Sequence, residues 1–415
     1  MSSTNKTPWL SIIGIGEDGL IGLSAAACTL LSSADLIIGN QRQLKMIPIS
    51  NQKRIVWPSP IRDLLEKLEN FRGTQTCILA TGDPLCFGIG STLTRFFPIE
   101  EMLIIPSYSA FALACARHGW PHHEVDLVSL HGRPISSLEI FLRPGGHLVI
   151  LSNDENTPSH VAAFLSERGY GTSLLTVFEH MNGSKEKRFE GLASNWTHLP
   201  TAPFNTITVK LSSFNLTNIK TRVPGLPDNA FKHDGQLTKS EVRAATLSAL
   251  EPFPGALLWD VGAGSGSVGI EWMRTDHRCQ AIAIENHSER AINIANNAIK
   301  LGTPNLKIIK QKAPASFSSL PTPDAIFIGG GITSKEMVER CWLLLKEGGC
   351  LVANVVTTEG EALVLKYQKK LGGSLTRISI SRLEKIGSAN GWRPSMQVTQ
   401  WKINKPFLSL KDNVQ

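Results

Sequence analysis

The sequence WDVGAGSGSVGI, from Trp259 to Ile270, decides the fold of the second half of this 415-residue chain. The apolar residues at its start predict a strand, and Gly262, Gly264 and Gly266 predict a tight turn that opens a helix. Such a turn directs the free N–H groups of the helix towards a ligand. The pattern G-x-G-x-G serves dinucleotides and S-adenosylmethionine alike, and it also occurs in ordinary turns.

A second apolar run, Ala281 to Ile284, ends at Glu285, which follows Gly262 by 23 positions. This spacing predicts a carboxylate at the tip of the neighbouring strand, where it can accept both hydroxyls of a ribose. The alternative is a solvated carboxylate at a strand end. The turn and the acid together predict a cofactor that contains adenosine. At this point a nicotinamide dehydrogenase and a methyltransferase both remain possible.

Length and composition predict an ordinary globular protein of two domains, with 42% hydrophobic and 19% charged residues. The net charge of +7 favours an anionic partner, although a merely basic surface would also explain it. Lys and Arg are dispersed, which argues against a nucleic-acid-binding module. No apolar run is long enough to predict a membrane span. The scattered cysteines are typical of reduced core residues in a cytoplasmic protein.

Apolar runs alternate with helical segments along both halves, which predicts an α/β fold. In the second half, a helix from the capping-box sequence at Thr238 to about Leu250 comes first. Five strand–helix units and two closing strands then predict a seven-stranded, doubly wound, Rossmann-like sheet. The pattern lapses in the segment rich in Ser, Asn and Pro after residue 212, so we expect domains at 1–212 and 229–415, joined by a linker at 213–228. The predicted strands are Leu10–Ile15, Leu36–Ile38, Cys77–Ala80, Met102–Ile105, His147–Leu151, Leu174–Phe178, Thr206–Leu211, Leu257–Val261, Ala281–Ile284, Leu306–Ile309, Ala325–Ile328, Leu351–Val356, Leu375–Ile380 and Gln397–Ile403.

The first half offers its own candidate residues. The glycines of Gly14–Gly19 suggest a dinucleotide loop, but no carboxylate follows the second strand to bind a ribose. Asp83, in a loop that ends a strand, fits a ligand contact and an Asx-turn equally well. His131 and Arg133 are suited to an anionic substrate, or they are surface residues. No histidine has companions at metal-ligand spacing, so we expect no metal site.

Several stretches of the first half resemble the tetrapyrrole methylases of corrin synthesis. They are WLSIIGIGEDGLIGLS from Trp9, TGDPLCFGIG from Thr81 and LSNDENTPSHVAAFL from Leu151. In the second half, LTKSEVRAATLSAL, WDVGAGSGSVGIE and KAPASF are similar to the partner methyltransferase of the same pathway. The likeness runs from about Pro8 to Lys402, and the order of the two parts resembles the fused, decarboxylating methyltransferases of that pathway.

The resemblance implies a two-lobed tetrapyrrole-methylase domain followed by a seven-stranded Rossmann-like methyltransferase domain. The first would methylate C5 of a reduced, anionic tetrapyrrole, and the second would methylate C15 and decarboxylate an acetate side chain. It further implies one S-adenosylmethionine per domain and a homo-oligomer in the cytoplasm without membrane or nucleic-acid partners. Whether the substrate contains cobalt stays open.

The same resemblance implies the site residues, although it identifies no catalytic residue. The family tends to have an acid before its Ala-Pro pair, whereas this chain has Lys312, which leaves a backbone contact at Ala313. Lys239 and Arg243 are one helical turn apart, near the second site or on a solvated basic face. The implied cofactor residues are Gly82, Asp83, Pro84 and Ser109 in the first domain and Thr238, Gly262, Gly264, Gly266, Glu285 and Ala313 in the second, with His131, Arg133, Lys239 and Arg243 as substrate contacts.

The alternative enzyme class is an RNA or DNA methyltransferase with an accessory domain, which the sequence pI of 9.0 suggests. Amino-methylating members usually carry an Asn/Asp-Pro-Pro-aromatic motif after the fourth strand. The corresponding residues here are Ile328, Gly329, Gly330 and Gly331, which offer no amide or aromatic ring to hold a flipped base. The sequence therefore favours a methyltransferase that acts on a tetrapyrrole over one that acts on RNA or DNA.

Overall fold

A computed structural model describes residues 8–49, 51–58, 62–197, 201–212 and 219–407. The chain forms two compact units. The first comprises Met1–Ile135 and Arg143–Asn218, and the second comprises Ser136–Leu142 and Ile219–Gln415. Residues 213–218 of the predicted linker lie outside the described residues, and the unit boundary falls at the end of that segment. The sequence did not predict that Ser136–Leu142 belongs to the second unit.

The first lobe of the first unit is a parallel sheet of five strands in the order β3-β2-β4-β1-β5. Apolar side chains cover both faces, as parallel sheets require, with Ile12 and Ile38 on one side and Ile13 and Ile37 on the other. The strands are β1 (Leu10–Ile15), β2 (Leu36–Gly39), β3 (Lys53–Val56), β4 (Thr76–Thr81) and β5 (Met102–Ile105), and the helices are α1 (Ala25–Ser33), α2 (Gln41–Met46), α3 (Arg62–Leu68) and α4 (Gly90–Leu93).

The second lobe is a mixed sheet in the order β6-β7-β10-β8-β9, in which only β6 and β7 are parallel. The predicted two-lobed first domain is thereby confirmed. The sequence did not predict three strands, β3, β6 and β9, and charged or polar residues interrupt the apolar pattern of each. The strands are β6 (Val125–Ser129), β7 (His147–Leu151), β8 (Leu174–Glu179), β9 (Lys187–Leu192) and β10 (Asn205–Lys210), and the helices are α5 (Ala110–His118) and α6 (Thr157–Glu167).

The second unit contains the predicted seven-stranded sheet, in the order β13-β12-β11-β14-β15-β19-β16. The first five strands are parallel, and β19 runs antiparallel between β15 and β16. Because the order reverses at β11, a crevice opens at the carboxyl ends of β11 and β14. The strands are β11 (Leu257–Val261), β12 (Gln280–Ile284), β13 (Lys307–Ile309), β14 (Ala325–Ile328), β15 (Cys350–Val355), β16 (Ser374–Ile378) and β19 (Val398–Asn404), and the helices are α7 (Ser240–Leu250), α8 (Ser267–Thr275), α9 (Ser288–Lys300), α10 (Met337–Leu344) and α11 (Thr358–Leu371).

A two-stranded hairpin that the sequence did not predict extends this unit. It consists of β17 (Ser381–Ile386) and β18 (Ala389–Pro394) and pairs with no other strand of the described residues. Large apolar side chains on and beside it are exposed, among them Trp392 at 71%. Within the described ranges, no helix has the length and hydropathy to cross a bilayer.

The start of α7 differs from its prediction. The helix ends at Leu250 as expected, but its N-cap is Lys239 and no side chain caps it, so the predicted capping box is wrong. Instead, the Ser240 N–H donates to Asp228 Oδ1 at 2.9 Å. Glu241 accepts hydrogen bonds from Arg382, at the base of the hairpin, and from the Ser240 hydroxyl.

Candidate functional site

A cavity of about 1140 Å³ lies in the first unit, and both of its sheets contribute to the walls. This volume exceeds the upper end of roughly 1,000 Å³ that is usual for a single small ligand. The carboxyl ends of β1 and β4 form one wall, and the ends of β6, β7 and β8 form the other. The cavity is therefore at the large end of the sizes that small-molecule sites have.

Close backbone packing shapes the wall that the first lobe contributes. A Cβ on Gly14 would lie 1.9 Å from the Gly82 carbonyl oxygen and 2.5 Å from the Ser107 nitrogen. Gly82 itself has φ +60°, and a Cβ there would lie 2.9 Å from the Tyr108 oxygen. The glycines thus let the ends of β1, β4 and β5 meet closely. Gly14 has a packing role that needs no bound phosphate to explain it.

Five of the six residues that the sequence assigned to the first site line this one cavity, namely Gly82, Asp83, Ser109, His131 and Arg133. Pro84 is buried under the loop and does not line it. Asp83 Oδ1 accepts from the Leu85 N–H at 2.8 Å, which is an Asx-turn, and the carboxylate still faces the cavity. Ser109 caps α5, because its Oγ accepts from the Ala112 N–H at 3.1 Å.

An ionic cluster that the sequence did not predict bridges the two lobes beside the cavity. His180 Nδ1 lies 2.7 Å from Glu17 Oε2, and Arg42 pairs with the same carboxylate. The Arg42 guanidinium stacks over the Phe204 ring at 4.0 Å. Burial, followed by the charge of Arg42, lowers the pKa of His180 and favours the neutral imidazole. Residues that are 163 positions apart leave no local signal by which to pair them.

The second candidate site lies at the carboxyl ends of β11 and β12, where the glycine turn has three positive φ angles. Gly262 and Gly266 are required by packing, because a Cβ would lie 2.9 Å from the Gly330 nitrogen and 2.8 Å from Ile294 Cγ2 respectively. Gly264 differs, since a Cβ there would have only the Gln236 oxygen near it, at 3.6 Å. The protein therefore leaves more room beside Gly264 than beside the other two glycines, since a Cβ there would make one ordinary van der Waals contact.

The amide groups of this turn are mostly used within the protein. Gly262 and Ala263 both donate to the Ile284 oxygen, and Gly266 donates to the Ala263 oxygen. Gly264 N–H donates to Glu285 Oε2 at 2.9 Å. These four amides are therefore not free for a ligand. The predicted free N–H groups are those of the following helix, α8, where the Gly269 N–H donates to Asp260 Oδ2 at 2.9 Å.

Glu285 is 5% exposed, so the solvated carboxylate considered as an alternative does not apply. Besides Gly264, it accepts from the His287 N–H, at Oε1 and 2.9 Å. A carboxylate oxygen has two lone pairs, so each oxygen can accept one further hydrogen bond. The geometry is compatible with the predicted contacts to two ribose hydroxyls.

Several residues of the second unit have buried polar atoms without partners among the described residues, and two of them, Asp260 and Ser265, lie in or next to this turn. Asp260 Oδ2 accepts from the Gly269 N–H at 2.9 Å, whereas its Oδ1 has no partner among the described residues. Burial raises the pKa of Asp260 to about 7, with a further increase from Glu285. The hydroxyls of Ser265 and Ser316 are also buried without a partner in the described ranges. Orphaned groups of this kind are typical of a site for a polar ligand or water.

The sequence-based prediction for Arg243 is wrong. Its side chain is 0% exposed, and its Nε donates to Glu271 Oε1 at 2.6 Å. The other guanidinium nitrogens donate to the carbonyl oxygens of Thr238 and Leu226. Because these donors are used internally, Arg243 is unable to contact a substrate.

The remaining predicted residues of the second unit stay predictions. The Lys239 side chain is 42% exposed, with its Nζ 3.8 Å from Asp228 Oδ2. Thr238 is engaged through its carbonyl oxygen, and Ala313 packs partly buried against the core. The described residues contain no group of three or more His, Cys, Asp or Glu arranged to hold a metal.

Comparison with known proteins identifies the family. Residues 10–195 match the tetrapyrrole (corrin/porphyrin) methylases, and residues 229–405 match the precorrin methyltransferase domain. The precorrin-6Y C(5,15)-methyltransferase [decarboxylating] of Sinorhizobium sp is 42% identical over 400 residues, which cover 96% of this chain and 97% of that protein. The chain belongs to this family.

Two further relatives agree with membership of the precorrin-6Y C(5,15)-methyltransferase family. The Mycobacterium tuberculosis (strain ATCC 25618 / H37Rv) protein of the same name is 38% identical over 95% of this chain and 99% of its own length. A probable cobalt-precorrin-6B C(15)-methyltransferase (decarboxylating) of Saccharolobus solfataricus is 33% identical over 40% of this chain and 89% of its own length. Membership confirms the resemblance and the use of S-adenosylmethionine as methyl donor. It gives no support to an RNA or DNA methyltransferase.

Proposed function

We propose that this chain methylates precorrin-6Y, or a close relative of it, at C5 and C15 and decarboxylates the C12 acetate side chain, in cobalamin biosynthesis. The observation that carries the proposal is the presence of two candidate sites in two unrelated folds. One is the cavity of the first unit, and the other is the glycine turn with Glu285 in the second unit. Two separate sites suit an enzyme that transfers two methyl groups.

We assign methylation at C5 to residues 1–212 and the C15 reaction with decarboxylation to residues 229–415, with 213–228 as the linker. The match to a tetrapyrrole methylase ends at residue 195, and the match to a precorrin methyltransferase begins at residue 229. The name of the Saccharolobus solfataricus relative carries the C15 reaction and decarboxylation without C5 methylation, and its match covers 40% of this chain and 89% of that protein, which supports a division of the two reactions between two domains. One S-adenosylmethionine per domain follows from this division.

The residues of the second site suit S-adenosylmethionine. The room beside Gly264 would admit the nucleoside, and the free lone pairs of Glu285 would accept from its ribose. The orphaned Ser265 hydroxyl adds a buried polar group to the same turn. Thr238 and the backbone of Ala313 complete the set that we propose for this cofactor.

In the first site, Gly82, Asp83 and Ser109 would hold the cofactor, with Pro84 fixing the loop from below. When bound, S-adenosylmethionine supplies an electrophilic methyl group on its sulfonium sulfur. The protein then aligns the attacking carbon, the methyl and the sulfur, which requires positioning rather than covalent help. The methyl would pass to the tetrapyrrole carbon as its bond to sulfur breaks, which would leave the sulfur neutral, and the substrate would lose one proton.

Cations at the walls of the first cavity suit a substrate that carries several carboxylates. Arg95, His131 and Arg133 line it, and Arg95 and Arg133 have no ion-pair partner among the described residues. In the second unit Lys239 would have the same role. In the decarboxylation, carbon dioxide leaves and the carbon that remains takes up a proton. We assign no residue to that proton transfer.

We further infer a homo-oligomer that acts in the cytoplasm on a small anionic molecule rather than on nucleic acid. The exposed apolar residues of the β17–β18 hairpin support self-association, since such residues favour burial against a partner. Seven free cysteines support a reducing compartment. The dispersed Lys and Arg residues support a small anionic ligand.

The direct test is incubation of the full chain with the metal-free reduced tetrapyrrole and ¹³C-methyl-labelled S-adenosylmethionine. We expect mass spectrometry to detect two added methyl groups and the loss of one carboxyl group, and NMR to assign the label to C5 and C15. The cobalt complex of the same tetrapyrrole, in a parallel reaction, distinguishes the two forms of the substrate. Methylation of RNA or DNA, with none of the tetrapyrrole, would overturn the proposal.

The role of Asp83 can be separated from its part in the turn. Asp83→Ala removes both the carboxylate and the Asx-turn acceptor, so we expect a loss of C5 methylation of at least roughly tenfold, as for a charge-assisted contact. Asp83→Asn retains an acceptor for the Leu85 N–H but lacks the charge, and we expect a similar loss. Label at C15 should be unchanged in both. Normal C5 methylation by Asp83→Asn would show that Asp83 only stabilises the turn and does not contact the cofactor through its charge.

Glu285→Ala should weaken one of two binding sites for S-adenosylhomocysteine. Losing charge-assisted bonds to a ribose costs about 1.5–3 kcal/mol, or roughly a ten- to hundredfold rise in Kd. Isothermal titration of the full chain should give two equivalents for the wild type and one tight equivalent for the variant. Glu289→Ala, an acid in the first turn of α9, serves as the control. If Glu285→Ala still bound two equivalents with wild-type Kd values, Glu285 would not contact the cofactor.

A further inference from the structure

The turn after β4 holds Phe87 in a conformation that phenylalanine rarely adopts. Its φ is +55°, in the left-handed region that is unfavourable for a bulky side chain. Despite this cost, the ring is not buried for stability, because the residue is 47% exposed and lines the cavity of the first unit. Strain of this kind persists where surrounding structure imposes it, and it is concentrated at functional sites.

The surrounding loop does impose this conformation. The Cys86 N–H donates to the Asp83 oxygen at 3.2 Å, and Ser91 Oγ donates to the Leu85 oxygen at 2.9 Å. On the other side of Phe87, Gly88 packs so closely that a Cβ there would lie 2.5 Å from the Pro84 oxygen. The backbone is therefore fixed on both sides of Phe87, and its ring is presented to the cavity.

Arg133 meets this ring from the other lobe. It lies in the turn after β6, and its guanidinium carbon is 5.0 Å from the centroid of the Phe87 ring. The side chain is exposed, and no carboxylate of the described residues forms an ion pair with it. A guanidinium over an aromatic face is held in orientation by cation–π attraction while its N–H groups stay available.

We propose that Phe87 and Arg133 form one substrate-recognition element, the lip, of the first site. The Phe87 ring packs on the conjugated edge of the tetrapyrrole, and the Arg133 guanidinium binds one peripheral carboxylate with two parallel hydrogen bonds. The lip rests on the proposed function, in which the first unit methylates an anionic tetrapyrrole. It deepens that function by naming the residues that select a flat macrocycle with an acidic edge.

The test uses the full chain and the apparent KM for the tetrapyrrole at C5, measured with ¹³C-methyl-labelled S-adenosylmethionine. We expect Phe87→Leu and Phe87→Gly each to raise that KM by roughly tenfold or more, as for loss of an aromatic stacking partner. Methylation at C15 should be unchanged. Phe96→Leu is the matched control, because Phe96 is an exposed phenylalanine of the same lobe that does not line the cavity.

Phe87→Gly also distinguishes a role of Phe87 in substrate recognition from a role in protein stability. Glycine accepts a positive φ, so this variant should unfold at the same or a slightly higher temperature than the wild type while it binds the substrate less well. Arg133→Gln should raise the KM similarly. The double variant should be little worse than either single change, because the two side chains act as one unit.

Three outcomes would contradict the role of the lip in substrate recognition. The first is a KM for Phe87→Gly within twofold of the wild-type value, and the second is an equal rise in KM for Phe96→Leu. The third is a lower unfolding temperature of Phe87→Gly together with a loss in kcat rather than a rise in KM. An absence of C5 methylation in the wild type would overturn the proposed function, and the lip with it. Normal wild-type C5 methylation with insensitive lip variants would overturn the lip alone.

Discussion

Gly264→Val should abolish methylation at C15, and with it decarboxylation, while label at C5 persists. The valine γ-carbons would occupy the room beside Gly264, where we place the cofactor, and the β-branched side chain would add strain at φ +58°. We expect the label at C15 to fall at least roughly a hundredfold, because a clash in a packed site costs several kcal/mol. NMR of the product formed by the full chain measures both positions at once.

Gly255→Val is the matched control for this change. Gly255 also has a positive φ, of +88°, and a Cβ there would meet nothing within 4 Å. The control therefore introduces comparable backbone strain away from the glycine turn. If Gly255→Val lost the C15 label as completely as Gly264→Val, strain rather than occupied space would explain the effect, and the proposed position of the cofactor would be wrong.

Glu271→Ala should destabilise the second unit more than any other substitution considered for it. Glu271 is buried, pairs with the fully buried Arg243 and accepts from the Gly225 and Leu226 N–H groups at 2.6 and 2.9 Å. Removing it leaves the buried Arg243 with only a longer ion pair, at 3.5 Å from Asp228 Oδ1, and breaking a buried pair costs about 3–5 kcal/mol. For a unit of this size we expect the calorimetric unfolding temperature to fall by roughly 10 °C.

Two further variants test that explanation. Glu241→Ala breaks the half-exposed pair with Arg382 and should cost less than about 1 kcal/mol. The double variant Glu271→Leu/Arg243→Met removes both charges, so it should be more stable than Glu271→Ala. If the double variant were instead the less stable one, the buried charge of Arg243 would not be the cause of the loss.

Most of the fold could be predicted from the sequence because its strands are apolar and local. The sequence predicted all seven strands of the second sheet, and the central ones, such as β11, β12, β14 and β15, are short apolar runs bounded by turn residues. The polar strands β9, β17 and β18 were missed, because what makes them strands is pairing with a neighbour rather than their own composition. Local pattern thus identifies buried strands better than exposed ones.

The wrong predictions for the second unit's site residues also arise because the deciding interactions join residues that are distant in sequence. Spacing placed Lys239 and Arg243 on one face of α7 but gave no information on whether that face was buried. The decisive partner of Arg243 is Glu271, 28 positions away, in α8. Likewise the helix start at Ser240 is satisfied by Asp228, 12 positions earlier, rather than by a local capping box. Partners at such distances are set by tertiary packing, which a single sequence does not encode in any local signal.

The internally bonded amides of the glycine turn have a consequence for ligand selection in the cell. Loops that bind nucleotide phosphates do so with unoccupied N–H groups. Here four of the five backbone donors from Gly262 to Gly266, all but that of Ser265, are already used, one of them by the negative carboxylate of Glu285. A pyrophosphate at these residues would therefore meet occupied donors and a buried anion. Abundant nucleotides such as NAD and ATP should thus compete poorly for this turn, which leaves it to a nucleoside that carries no phosphate.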